Sequence, residues 1–223
     1  MKIDLHVHIN RTSRCAREEP ETMAKKAKEK GIEAIAVLDH HYYPNQEEIT
    51  KAEKASGIKV FKGIEITIKM NGGTNDIVII SKDPPNFNYG KYHQPISEKE
   101  MPDLMKYVEE TQGLMILAHP YRKNHPLYLD VSKYPPHAIE ITSKNTKIEN
   151  RHKIMETAKH YNIICLATSD AHKTRNIGDY YIDTDFPLSN SDNETDLANL
   201  IKTKKFTLYE KQVAPVQYMP RNY

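Results

Sequence analysis

Imidazole and carboxylate side chains recur at the ends of apolar runs along this chain, in five short motifs. They are Asp4-Leu5-His6-Val7-His8, Leu38-Asp39-His40, Gly63-Ile64-Glu65-Ile66-Thr67, Ala118-His119-Pro120 and Thr168-Ser169-Asp170-Ala171-His172. Imidazole nitrogens and carboxylate oxygens suit zinc, iron or manganese. Delivered by several strand ends to one face, they can hold a cluster of divalent ions. In His6-x-His8 the alternation of a strand sends both imidazoles the same way. Alone that pair is a weak signal, because polar histidines at a strand end recur by chance. Glu65 is a stronger one: flanked by Ile64 and Ile66, its carboxylate would be costly to bury unless paired or bound to metal. Its two oxygens can also bridge two ions. Pro120 stops the run before His119, since proline cannot extend a central ladder. Asp39-His40 and Asp170-x-His172 close two further runs. Turn chemistry explains any one of these motifs but not five in order, and the set reads as a metallohydrolase.

The elements that must position these groups alternate. Strands are predicted over residues 2–8, 33–38, 59–69, 76–80, 114–118, 138–142 and 163–168, from β-branched apolar runs. Helices are predicted over 21–30, 47–56, 98–111, 147–161 and 194–203, with Gly31, Gly57 and Gly113 as stop signals. Such alternation implies a parallel α/β architecture. A closed barrel brings all its strand ends to one mouth, whereas an open sheet gathers them at a single crevice. Ligands at the ends of the first, second, third, fifth and last strands favour the barrel. The expected fold is a distorted (β/α)7 TIM-like barrel, one domain over residues 1–223.

Bulk properties narrow the function. With 32 Lys and Arg against 30 Asp and Glu, the net charge is +2, which provides no broad footprint for nucleic acid. No apolar stretch approaches the ~20 residues that span a bilayer. The first predicted strand begins at Lys2, leaving no room for a targeting segment. Cys15 and Cys165 are the two cysteines, too few for a disulfide framework. A reduced, cytoplasmic setting is expected.

The ordered motifs resemble the PHP (polymerase and histidinol phosphatase) family of metal-dependent phosphoesterases over nearly the whole chain. The matches are the Asp-Leu-His-x-His opening, the Asp-His after the second strand, the Gly-x-Glu, the Ala-His-Pro and the Ser-Asp-Ala-His. The resemblance implies a distorted (β/α)7 barrel with one metal on His6, His8, Glu65 and Asp170. A second ion would share Glu65 and take His119. A third, where present, would use His40 and His172. Two positions depart from the pattern. The loop after His-x-His reads Ile9-Asn10-Arg11-Thr12-Ser13-Arg14-Cys15, placing Arg14 or Cys15 where another ligand is usual. A thiolate there could bind zinc, or the guanidinium could fill the space. The histidine expected soon after the fourth strand is also missing, and His93 is the candidate in its place. His125, His137, His152 and His160 read as surface histidines.

Two or three zinc, iron or manganese ions would lower the pKa of water toward ~7. A metal-bridging hydroxide would then attack phosphorus in line. Asp39 is expected to orient an imidazole or pass a proton, and His40 or His172 to protonate the leaving oxygen if the third ion is absent. Arg14, Arg122 and Arg175 are the candidate clamps for phosphate. The expected substrate is a small phosphomonoester. A nuclease is the first alternative, and Lys82, Lys91, Lys123 and Lys144 would be its basic track. A C–N hydrolase of the amidohydrolase type also opens with His-x-His, but Glu65 and Asp170-Ala171-His172 count against it. A degenerate metal-binding domain has only the altered first loop in its favour.

Overall fold

The computed structural model describes residues 1–12, 16–91, 94–185 and 192–211. The strands are β1 (Lys2–His8), β2 (Ala34–Leu38), β3 (Lys59–Met70), β4 (Gly73–Ile80), β5 (Ile96–Ser97), β6 (Leu114–Leu117), β7 (Ala138–Thr142), β8 (Ile164–Ala167), β9 (Tyr180–Asp183) and β10 (Thr207–Glu210). The helices are α1 (Pro20–Glu29), α2 (Gln46–Ser56), α3 (Met101–Glu110), α4 (Arg151–His160) and α5 (Glu194–Lys202). The strands form one sheet in the order β10-β9-β1-β2-β3-β4-β6-β7-β8, with β5 added beside β3. The sheet curls into a nearly closed, distorted barrel. Its mouth is stitched where the backbone of Ala171 exchanges hydrogen bonds with that of His6 and His8.

Local chemistry explains where the helices start and stop. Asn45 and Glu48 form a capping box on α2, and Gly57 ends that helix in the left-handed region at φ 72°. Asn193 and Asp196 cap α5 in the same way. Pro20 opens α1, where its missing N–H costs nothing. The buried positions of α5, Leu197, Ala198, Leu200 and Ile201, recur at helical spacing. They pack with Ala36, Phe61, Val78, Ile116 and Leu166 in one cluster. Each large side chain so buried contributes roughly 1.5–3 kcal/mol.

Strand periodicity sets a polar layer next to that apolar one. Residues two or four apart share a face, so Glu65 lies on the face of Phe61, Asp76 on that of Val78 and Glu140 on that of Ala138. All three apolar partners are fully buried.

One expectation is corrected. The sheet is not wholly parallel, because β4 runs antiparallel to both β3 and β6. Only Asn71-Gly72 separates the Met70↔Gly73 pair, and Gly72 sits at φ 96°. A parallel neighbour would need a crossover of a dozen or more residues, whereas two residues make a hairpin. The reversal carries the start of β4, not its end, to the mouth. Among the described residues, no helix is long and apolar enough to cross a membrane.

Candidate metal centre

Strand ends deliver seven of the expected ligands to one place. His6 and His8 point their Nε2 atoms at each other, 3.0 Å apart. Glu65 lies among four imidazoles: its Oε2 is 2.7 Å from His40 Nδ1 and 3.4 Å from His8 Nε2. Its Oε1 is 3.1 Å from His119 Nε2 and 3.7 Å from His6 Nε2. Asp170 Oδ1 is 3.3 Å from His8 Nε2, 3.6 Å from His6 Nε2 and 3.3 Å from His172 Nδ1. The His8 and His172 rings stack with centroids 4.0 Å apart. Among the described residues, three groups have ligand atoms close enough to share an ion: His6, His8 and Asp170; Glu65, Asp76 and His119; and His8, His40 and His172.

The backbone at these strand ends is bent into unusual shapes. His41, His119 and Asp170 have φ of 52°, 25° and 47°, a region that costs non-glycine residues of order 1–3 kcal/mol each. Hydrogen bonds hold two of the turns: His41 N donates to the Glu65 carbonyl, and His119 N to Glu140 Oε2, both at 2.7 Å. Asn145 donates to Asp170 Oδ2. Asp39 Oδ2 accepts the backbone N–H groups of Arg11 and Thr12 at 3.0 and 2.7 Å. Its Oδ1 lies 3.5 Å from His8 Nδ1. Asp39 therefore ties the loop after His-x-His to the His8 ring.

The chemistry of the donor set fits divalent cations. A carboxylate accepts only, so Nδ1 of His6, 2.7 Å from Glu140 Oε1, must carry the hydrogen. In the neutral ring Nε2 is then a lone pair facing the centre. Glu65 Oε2 and Asp170 Oδ1 are buried with no well-aligned hydrogen-bond donor, although imidazole nitrogens lie 2.7 and 3.3 Å away. Lone pairs converging in a buried space call for protons or cations.

In the metal-free molecule, protons serve. Burial favours neutral His6, but the charges of Glu140, Asp170 and Glu65 outweigh it and push the imidazole up to about 10. Burial likewise opposes charge on His119, yet Glu65 and Asp170 push it up to about 9. Glu65 is held well below the usual carboxylate range: burial would raise it, but His40, His119 and His6 prevail. Asp170 is lowered in the same way against its burial, by His6, His8 and His119. Asp4 takes the opposite course. Burial pushes its carboxyl up to about 7, although the Ser169 and His6 N–H groups oppose the rise.

The family model of the PHP domain matches residues 4–202. The chain belongs to the PHP domain family. This PHP chain is 31% identical over 130 residues to the uncharacterised protein MJ1587 of Methanocaldococcus jannaschii, covering 54% of this chain and 68% of that one. A two-domain protein of Bacteroides vulgatus, described as containing a PHP-like metal-dependent phosphoesterase, superposes with TM-score 0.68 at 16% identity, covering 94% of this chain and 64% of the other. A Bifidobacterium adolescentis protein provisionally described as a metal-dependent phosphoesterase gives 0.64 at 14%, covering 91% and 96%. An amidohydrolase of Chromobacterium violaceum, solved with sulfate and no metal, gives 0.62 at 15%, covering 95% and 99%. At these identities the superpositions speak to the PHP fold alone.

The structure brings together most of the residues that the PHP motifs single out, but not all of them. His93, Arg14 and Cys15 lie outside the described residues. Arg122 lines a cavity of about 460 Å³ that opens beside Asp76 and His119, together with Tyr121, Lys123, His125 and Tyr128. Arg175 does not line it. It is exposed on the turn Thr174–Asn176, and its carbonyl accepts from Lys30 Nζ.

Sequence reasoning missed Asp76, Glu140 and Asn145. Glu140 carried the signal that had marked Glu65, a lone carboxylate between β-branched residues in Ile139-Glu140-Ile141. Asp76 was hidden by reading β4 as parallel. The Thr67 hydroxyl donates to Asp76 Oδ1 at 2.6 Å, and Asp76 Oδ2 lies 3.9 Å from His119 Nδ1. Asp76→Ala is expected to weaken one metal equivalent by about 10- to 100-fold and leave the His6, His8 and Asp170 group intact. Chelator competition measures this, and two equivalents held as tightly as in the wild type would contradict it.

Proposed function

We propose that this PHP protein is a metal-dependent phosphomonoesterase acting on a small organic phosphate. Membership of the PHP family supports a metal-dependent hydrolase, and neighbours of the same fold are described as phosphoesterases and an amidohydrolase. The narrower reading rests on one observation. The ligand group of Glu65, Asp76 and His119 adjoins a half-open cavity of about 460 Å³ that is lined by Asp76 and His119 and has Arg122 on its wall. A guanidinium matches phosphoryl oxygens in pairs, and a cavity of this size suits a small molecule.

The oxygen and nitrogen donors fit two or three zinc, iron or manganese ions. When bound, such ions supply Lewis acidity and a water acidic enough to act at neutral pH. The chain's own residues do the rest. Glu65 and Asp170 hold the centre's negative charge, and Asp39 fixes the His8 ring. Arg122 grips the phosphoryl group, with Arg14 as its proposed companion. His93 is a proposed ligand beside His119. Where no third ion occupies them, His172 or His40 delivers a proton to the leaving oxygen. Few cysteines and a modest charge favour a cytoplasmic enzyme.

The test combines metal analysis with hydrolysis of p-nitrophenyl phosphate by the wild type and His119→Ala. Expected are about two to three metal equivalents and a loss of roughly 10²-fold in kcat/KM in the variant. Faster turnover of an oligonucleotide, falling steeply with salt, would favour a nuclease. Faster cleavage of an amide would favour C–N hydrolysis. A wild-type chain that stays metal-free and inactive after treatment with zinc, iron and manganese would make it a binding domain.

A further inference from the structure

Glu140 belongs to none of the three ligand groups, yet it touches two of them. It is fully buried in β7. Its Oε1 lies 2.7 Å from His6 Nδ1 and accepts the Thr168 hydroxyl at 2.6 Å. Its Oε2 accepts the backbone N–H of His119 at 2.7 Å. His6 sits with His8 and Asp170, while His119 sits with Glu65 and Asp76.

We infer that Glu140 is a positioning residue that sets both ligand groups at once, fixing the ring of His6 through its Nδ1–H and the strand-end turn of His119 through its backbone N–H.

Both contacts follow from the fold. Pairing of β6 with β7 ends at Leu117↔Ile139, because His119 has turned to φ 25°. Its N–H has left the ladder, and a buried N–H without a partner is rare and costly. Pro120 follows and has no N–H to offer. The Glu140 side chain, one residue beyond Ile139, takes the orphaned donor and holds the turn that bears the His119 ring. On the other side, an acceptor at Nδ1 keeps Nε2 of neutral His6 free of hydrogen, as ligation requires. The Thr168 hydroxyl anchors the same oxygen from the end of β8.

Glutamine tests the carboxylate specifically. The two oxygens of Glu140 accept from different partners, and an amide has only one oxygen. If it faces His6, the amide NH2 confronts the His119 N–H. If it faces His119, the NH2 donates to His6 Nδ1, and the ring's hydrogen moves to Nε2, where it blocks ligation. Either orientation disables one ligand group.

The experiment measures zinc or manganese affinity by chelator competition for the wild type, Glu140→Gln and Thr168→Val. It is paired with the NMR signal of the His6 Nδ1 proton. Expected for Glu140→Gln is a roughly 10- to 100-fold weaker affinity for at least one equivalent, with the protected Nδ1 proton shifted or lost. A folded Glu140→Gln chain with wild-type affinity and an unchanged proton overturns the inference, even if its melting temperature falls. If Glu140→Gln does not fold, Thr168→Val decides: a few-fold weaker affinity with a shifted proton supports the role, and no change in either overturns it. The inference rests on the metal-binding half of the proposed function. A wild-type chain that takes up no metal removes both, whereas equal uptake by wild type and variant removes only the role of Glu140.

Discussion

Glu65→Gln is expected to lower kcat/KM for a phosphomonoester by at least about 10³-fold, roughly 4 kcal/mol of transition-state stabilisation, and to cost at least one equivalent of metal. Glu65 lies within 3.7 Å of His6, His8, His40 and His119, so its carboxylate faces histidines of all three ligand groups. Glutamine has nearly the same shape, so packing is preserved and the barrel should fold. What changes is charge and lone-pair count. One oxygen becomes an amide nitrogen that presents hydrogens where the centre presents acceptors, and a buried negative charge disappears from among four imidazoles. Metal analysis and steady-state kinetics on the same preparation check the result. Activity within tenfold of the wild type, with full metal content, would show that the ions do not need Glu65 and that the centre has been read wrongly.

Much of this centre was legible because strand ends in an α/β barrel obey simple geometry. His6 and His8 had to share a face once β1 was recognised. Gly57 and Pro120 marked where their elements stop. The predicted strands 2–8 and 138–142 coincide with β1 and β7. What escaped was strand direction, and with it Asp76. Hydrophobic alternation reports the faces of a strand but is blind to whether it runs up or down. Direction is encoded in the connection, and the Asn71-Gly72 turn between two apolar runs was the available signal. Reading β4 as parallel put the expected ligand beyond the strand's last residue, Ile80, at His93. The register Gly63↔Ile80 places that end opposite the mouth, while Thr67↔Asp76 places Asp76 at it. The short strands β9 and β10 were also missed, since four residues each give periodicity little to act on. Glu140 is a different kind of miss. A buried carboxylate that binds a ligand's far nitrogen looks, in sequence, like one that binds the metal or like an outward-facing surface residue. Only the hydrogen-bond partners separate the three.

Metal uptake by this chain should release about two protons near pH 7.5 and should stabilise the fold more as the pH rises. In the metal-free chain Glu140, Asp170 and Glu65 overcome burial and hold His6 up at about 10, and Glu65 with Asp170 holds His119 up at about 9. Both are therefore imidazolium at pH 7.5, while a metal accepts only the neutral ring. The sign for stability follows from linkage. A histidine whose pKa is raised by folding gives its full stabilisation below its unfolded value, near ~6.5. That stabilisation fades as the pH climbs through about 9 for His119 and about 10 for His6. The metal-free chain should thus weaken between pH 6.5 and 10, for want of positive charge among its buried carboxylates. The loaded chain should not, because the ions supply that charge and compete with fewer protons. Titration calorimetry in two buffers of different ionisation enthalpy counts the protons, and thermal unfolding with and without zinc across pH 6.5–9 follows the gap. A heat independent of the buffer, or a gap that narrows as pH rises, would mean that the imidazoles already stand neutral and that something other than protons balances Glu65 and Asp170.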